Sequence, residues 1–390
     1  MSRATARFIA DGHPWVRPDR FTRGLERLVA GQAVTLVDDA GTRLASALAD
    51  PKDEVCARVY HRKPDLAFLP AEALERAWDR RAALHADPAT DCYRLVHGEA
   101  DFLPALRIER YGPVFVVLVL AECMTAHVDP VCRALAKKAA AIPEFVIVVR
   151  DHKDDLRKEG VSTRRFQAVT ASVATLDPEA VVIGKELGLS YPLRPFGGLA
   201  TGLYVDQRAT RKWLAAHAAG ARVLNLFAYT GAFSLHLLAS GAADATAVDL
   251  AGPALKRAEE AAALNGLGDR HRIVKSDCRV FLAASSDLYD IIIVDPPTAA
   301  QGGDGWVLRR DYPEVLRLAF LRLAPGGLLL ACCNTLGGKP YPLADAVREA
   351  AKAAAVATRD VAAPPLGEDL PQIQGFPEGR PHRLVAVRRS

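Results

Sequence analysis

The residues able to do chemistry gather in the C-terminal half of this chain, each at the end of a short apolar run. Two adjacent thiols, Cys332 and Cys333, close the run Leu328-Leu329-Leu330-Ala331, which follows Pro325-Gly326-Gly327. Asp295 closes Ile291-Ile292-Ile293-Val294 and precedes Pro296 and Pro297, which fix backbone angles and remove two amide donors. Asp249 ends a third run, Asp277 follows a fourth, and the segment from Asn225 through Phe227 and Tyr229 to Phe233 follows a fifth with a single glycine, Gly231. A thiolate is a nucleophile toward electron-poor carbon. A carboxylate at a strand end can bind ribose hydroxyls, accept a hydrogen bond from an amino group, or hold a proton for a ring nitrogen.

The elements that must position these groups alternate regularly from about residue 220. Strands are expected at 222–226, 245–248, 272–275, 289–294 and 328–333, helices at 233–240, 252–265 and 312–323, and a closing strand at 383–387. Strands alternating with helices of this length give an α/β fold, a mostly parallel, doubly wound, Rossmann-like sheet. Ligands of such sheets lie beyond the carboxyl ends of the strands, where the chemistry-bearing residues fall. Asp249 stands eighteen residues beyond Gly231, suited to ribose. A carboxylate at Asp277 suits an adenine amino group. A dinucleotide would need a G-x-G-x-x-G loop to approach its pyrophosphate. One glycine argues instead for an adenosyl cofactor without phosphate, S-adenosylmethionine.

The rest of the chain is less informative. With 390 residues, two or three domains are expected. Residues 1–75 read as a small β-rich module with strands near 34–37, 43–48 and 55–60. A charged amphipathic helix at 71–87 connects it to the next domain; residues 76–192 read as a small α+β middle domain, with a helix at 127–140, strands at 93–96, 113–120 and 145–149, and a mixed-charge loop at 150–165. Residues 193–390 form the sheet domain. A net charge of +4 does not by itself argue for nucleic acid, although Arg3, Arg7, Arg17, Arg20, Arg23 and Arg27 crowd the first thirty residues. Trp15, behind His13-Pro14, reads either as a base-stacking residue or as packing for its own module. Seven scattered cysteines suggest neither a disulfide framework nor a metal site. No apolar run is long enough to span a bilayer and the first residues lack the pattern of a secretory signal, so a cytoplasmic protein is expected.

Several segments together carry a family resemblance: Gly12-His13-Pro14-Trp15-Val16, Arg94-Leu95-Val96-His97-Gly98-Glu99, Arg110-Tyr111-Gly112, Thr201-Gly202-Leu203-Tyr204-Val205-Asp206-Gln207-Arg208, Asn225 to Phe233, Asn265-Gly266-Leu267 and Asp295-Pro296-Pro297. Along nearly its whole length the chain resembles the bacterial 23S rRNA (cytosine-C5) methyltransferases with an N-terminal PUA domain. The resemblance implies a PUA-like RNA-binding module at 1–75, ribosomal RNA as partner, and a homodimer. It also implies that Gln207 and Tyr229 join Asn225, Phe227, Gly231, Asp249, Asp277 and Asp295 around S-adenosylmethionine.

Cytosine C5 is too weak a nucleophile to attack a methyl sulfonium unaided. A thiolate adding at C6 makes it an enamine, after which a base removes the C5 proton and the thiol leaves. Cys333 qualifies as the thiol by its place at the strand end, and the resemblance puts the family's nucleophile there; Cys332, or no catalytic cysteine, are the alternatives, since adjacent side chains face opposite ways. Asp295 is the second catalytic candidate, through a hydrogen bond to the cytosine edge. The chain also departs from the family. Thr298-Ala299-Ala300 stands where the cytosine enzymes carry Lys-Phe, and Asp-Pro-Pro-Thr resembles the guanine-N7 enzymes, which need no thiol. Uridine-C5 enzymes carry a general-base Glu after a His, whereas Arg383 follows His382. A non-catalytic RNA-binding protein with a degenerate cofactor fold is the remaining reading.

Overall fold

The computed structural model describes residues 1–151, 166–168, 180–196, 201–300, 305–334 and 340–390. Part of the expected mixed-charge loop, 152–165, lies outside the described residues. The chain packs as two compact units: residues 1–185, 194–199 and 367–380 form the first, and residues 186–193, 200–366 and 381–390 the second. Segment 367–380, expected with the C-terminal domain, thus packs with the first unit.

The first unit opens with a helix that the sequence reading lacked, Arg3–Ala10, whose N-terminus is capped by the Ser2 hydroxyl accepting from the Thr5 amide at 3.2 Å. An antiparallel sheet follows, in the order Trp15–Val16, Ala57–His61, Arg43–Ala49, Ala33–Val37. Its inner face, with Leu36, Ala47 and Val59, packs against Ile9 of the helix. A second, five-stranded sheet runs from Cys92–His97 through Leu106–Tyr111, Val114–Val119 and Val146–Asp151 to Phe166–Ala168. Pro70–Arg80 and Val128–Ala139 supply the helices, and Leu74, Tyr93, Phe115 and Leu135 lie in the shared core. Trp15 is held within this unit: its indole N–H donates to Glu99 at 2.8 Å and its ring meets Phe376 edge-on at 4.9 Å.

The second unit is built on a seven-stranded sheet. Its strands are β1 (Arg222–Leu226), β2 (Asp244–Asp249), β3 (His271–Lys275), β4 (Tyr289–Val294), β5 (Leu323–Cys333), β6 (Thr358–Val361) and β7 (Arg383–Arg389), in the spatial order β3-β2-β1-β4-β5-β7-β6. The first five are parallel, while β7 runs antiparallel to both β5 and β6. The run Ile291-Ile292-Ile293-Val294 is buried throughout, as a central strand covered on both faces requires. Among the described residues the unit's helices are α1 (Arg208–Ala215), α2 (Ala232–Ala239), α3 (Gly252–Leu264), α4 (Cys278–Ala284), α5 (Leu308–Arg322) and α6 (Leu343–Ala353). Helix α5 begins four residues earlier than the sequence suggests, and α1, α4, α6 and β6 were not anticipated. Strand order reverses at β1, so the carboxyl ends of β1 and β4 frame the switch point where ligands of such sheets bind.

Candidate active site

A cavity of about 270 Å³ lies at that edge of the second unit. Each strand end contributes: Phe227 and Tyr229 after β1, Asp249 and Leu250 at β2, Ser276, Asp277 and Cys278 after β3, Asp295 to Pro297 after β4, and Asn334 after β5. Tyr204, Asp206 and Gln207, on the turn before α1, form another wall, with Trp306, Pro381 and His382 completing the lining. Of the residues expected at the cofactor, Gln207, Phe227, Tyr229, Asp249, Asp277 and Asp295 line this cavity; Asp206, Trp306, Asn334 and His382 line it too and were not expected there. Asp206 lies in the Thr201–Arg208 segment, so a signal existed; Trp306 had none.

The β1 loop is bent sharply. Phe227 and Tyr229 both take left-handed backbone angles, φ 56° and 52°, which non-glycine residues adopt at a cost. The bend is fixed by Asp249, whose carboxylate accepts from the Tyr229 amide at 2.8 Å and from the Ala251 amide at 2.8 Å. Phe227 packs on Trp306, ring centroids 4.8 Å apart, and the Trp306 indole donates to the Pro297 carbonyl at 2.6 Å.

Two residues expected at the cofactor are placed elsewhere. Asn225 is 1 % exposed, donates to the Ser234 hydroxyl at 3.1 Å, and does not line the cavity. Its side chain leaves the sheet toward α2 rather than past the strand end. Gly231, also outside the lining, has φ 72° at the start of α2. A Cβ there would stand 3.1 Å from His271 and 3.2 Å from Ala258, so the glycine permits the close approach of β3 and α3.

Asp277 lines the cavity and also caps α4, accepting from the Arg279 amide at 2.7 Å and pairing with the Arg279 guanidinium at 2.9 Å. The Arg279 side chain, more than the competing burial, holds its carboxyl below the usual range. Asp295 goes the other way. It opens partly onto the cavity, yet protein encloses its carboxyl; burial first, then the neighbouring Asp206 charge, pushes it up to about 7, against a hydrogen bond from Gln207 at 3.2 Å. The Gln207 carbonyl oxygen is buried and has no hydrogen-bond partner among the described residues.

Both cysteines are buried, and neither lines the cavity. Cys333 is 1 % exposed in the apolar cluster that contains Ala331, Tyr312 and Tyr341. Cys332 faces Asp295 and Gln207, and burial and then the Asp295 charge raise its thiol well above the ordinary value. Tyr312 ties the two strand ends together by donating to the carbonyls of Val294 and Cys332, at 3.0 and 2.8 Å. Thr298, the departure after Asp-Pro-Pro, donates to Asn334 at 2.9 Å. Among the described residues no His, Cys, Asp and Glu group is arranged to hold a metal ion, and no helix is long and apolar enough to cross a membrane.

Sheet order, switch-point cavity and acidic strand ends define a methyltransferase of the S-adenosylmethionine class. The S-adenosylmethionine-dependent methyltransferase family profile matches residues 164–376, and a PUA-like domain profile matches 1–62. A ribosomal RNA large subunit methyltransferase of Deinococcus radiodurans is 32% identical over 86% of this chain and 84% of its own length. A ribosomal RNA large subunit methyltransferase I of Tolumonas auensis is 29% identical over 96% and 95%. A protein crystallised in complex with S-adenosylhomocysteine shares the fold, with a TM-score of 0.83 at 20% identity over 99% of this chain and 98% of that one. The chain belongs to the S-adenosylmethionine-dependent methyltransferase family, with an N-terminal PUA-like domain, and its cofactor is S-adenosylmethionine.

Proposed function

We propose that this enzyme methylates carbon 5 of a cytosine in large-subunit ribosomal RNA. The observation that carries the reading is the convergence of Asp249, Asp277, Asp295 and Gln207 on one cavity at the sheet edge. These residues fit the cofactor: Asp249 has lone pairs left for ribose hydroxyls, Ser276 and Asp277 offer polar partners to adenine, and Leu250, Cys278 and Phe227 supply apolar walls. The unsatisfied Gln207 oxygen suits a donor at the amino-acid end. Tyr229 closes that side beneath Tyr204, their rings 5.1 Å apart. Asn225 and Gly231 serve as scaffold.

When bound, S-adenosylmethionine supplies an electrophilic methyl group. The chain's own part begins with Asp295, whose carboxyl near pH 7 is a ready proton donor to the cytosine ring nitrogen. The Cys333 thiolate adds to C6, C5 takes the methyl group, a base removes the C5 proton, and the thiolate leaves as the ring double bond re-forms. Cys333 ends β5 one residue before the cavity-lining Asn334, which supports the assignment. For this chemistry the thiol must turn out of its apolar cluster toward the cavity. The RNA target follows from relatives named for it, and the target base must leave its stack to reach the cavity.

The burial of Cys333 favours one second reading, guanine N7, which is nucleophilic without a thiol. Replacement decides between them. Cys333→Ala is expected to abolish methyl transfer to rRNA while cofactor affinity, measured by calorimetry, stays within a few fold; full activity in that variant would establish the thiol-free reading.

A further inference from the structure

Behind the turn that carries Tyr204, Asp206 and Gln207 lies a set of buried polar side chains that do not line the cavity. Glu186, the last residue of strand Val182–Glu186, is fully buried, and Arg211 and His236 are 2 % and 4 % exposed. The Arg211 guanidinium grips the Glu186 carboxylate with both edges, at 2.5 and 2.7 Å, and also donates to the Tyr204 carbonyl at 2.9 Å. His236, on α2, adds a contact to the same carboxylate at 3.1 Å. Burial alone would raise the Glu186 carboxyl, but the Arg211 charge and the hydrogen bonds from His236 and Arg211 hold it down at about 2. Burial keeps His236 below its ordinary value and so neutral, its partner's charge being already matched by Arg211.

Such a cluster is a poor way to gain stability, because desolvating two charges offsets most of their attraction; well-packed apolar side chains of similar volume often do as well or better. What it supplies is direction. A bidentate fork tolerates little rotation, and the third donation of Arg211 reaches back to the turn. The turn is tied at two further points: Thr230 donates to the Gly202 carbonyl at 2.6 Å, and Gln207 donates to Asp295 at 3.2 Å.

We infer that Glu186, Arg211 and His236 form a positioning cluster that presets the Tyr204–Gln207 wall for the amino-acid end of the cofactor. This rests on the cofactor assignment above, and the test separates the two. S-adenosylhomocysteine is titrated calorimetrically into the full-length protein and into a variant with an apolar replacement cluster, Glu186→Leu, Arg211→Met and His236→Leu. Thermal unfolding is measured alongside. The expected result is a melting temperature within a few degrees of wild type and an affinity at least tenfold weaker, a split that a purely stabilising cluster would not give. Arg211→Lys, which keeps the charge but loses the fork, is expected to weaken binding several-fold. Affinity within twofold of wild type in either folded variant overturns the inference. Failure of the wild type itself to bind overturns the cofactor assignment instead. If neither variant folds, hydrogen exchange of the ligand-free wild type decides: a protected Gln207 amide, which donates to the Tyr204 carbonyl at 3.2 Å, supports a preset wall, and open-loop exchange contradicts it.

Discussion

Asp295 is where sequence and environment pull hardest against each other. Its position after β4 was legible from the Asp-Pro-Pro pattern, but its protonation was not, because that depends on burial and on Asp206, which no strand-end rule singled out. Its folded-state value near 7 lies above the ordinary carboxyl value of 3.8. Folding therefore favours the protonated form: the associated stability is complete below about pH 4 and is lost as pH rises through about 7. The loss is a few kcal/mol at most, at about 1.4 kcal/mol per pH unit of separation. Asp295→Asn, neutral at every pH, is expected to match wild type near pH 4 and to be the more stable protein at pH 8. Denaturant midpoints at the two values check this, and equal pH dependence in both proteins would contradict it. Catalysis should respond in the opposite sense, since the amide cannot give up a proton: kcat falls at all pH values in the variant. At the same scale, Asp277 shows why one carboxylate can satisfy two readings, lining the cavity while its oxygens hold the first turn of α4.

Among the elements, those with strong periodicity were read well. All five parallel strands fall where apolar runs end in polar residues, and the closing strand, expected at 383–387, extends two residues further to Arg389. The misses have physical causes. Helix Arg3–Ala10 is only eight residues long, too short for its Ser2 cap and its buried Ala6 and Ile9 to stand out as a periodic run. Helix α4 is seven residues long and starts from a carboxylate that reads as a ligand. Helix α6 carries a clear apolar stripe, Leu343, Ala346, Val347, Ala350 and Ala351, but three of those five positions are alanines, which mark a buried face weakly. The glycine of the β1 loop was recognised, but the crowding around it was not, because the neighbours it must avoid, His271 and Ala258, come from β3 and α3. Gly231→Ala should therefore destabilise the protein by about 1–2 kcal/mol through the left-handed backbone alone, with the crowded Cβ adding to the loss. A denaturant midpoint indistinguishable from wild type would show that the loop relaxes freely.

For the whole molecule, the family resemblance carried more than composition did. A net charge of +4 said little about the partner, whereas the exposed arginines of the first unit, Arg17, Arg20 and Arg23, offer a local surface for phosphate. Arg20 lies over the Phe21 ring at 4.7 Å. Replacing the three arginines by Glu should weaken binding to rRNA and flatten its salt dependence by about one unit of slope per lost phosphate contact. Cofactor affinity should be unchanged; an unaltered salt slope would place the RNA surface elsewhere.

The enzyme is incubated with unmodified 23S rRNA and S-adenosylmethionine carrying a labelled methyl group, the RNA is digested to nucleosides, and the labelled nucleoside is identified by mass spectrometry. Label is expected in 5-methylcytidine with wild type and in no nucleoside with Cys333→Ala. Label in 7-methylguanosine, or label that persists without the thiol, would contradict the proposed function.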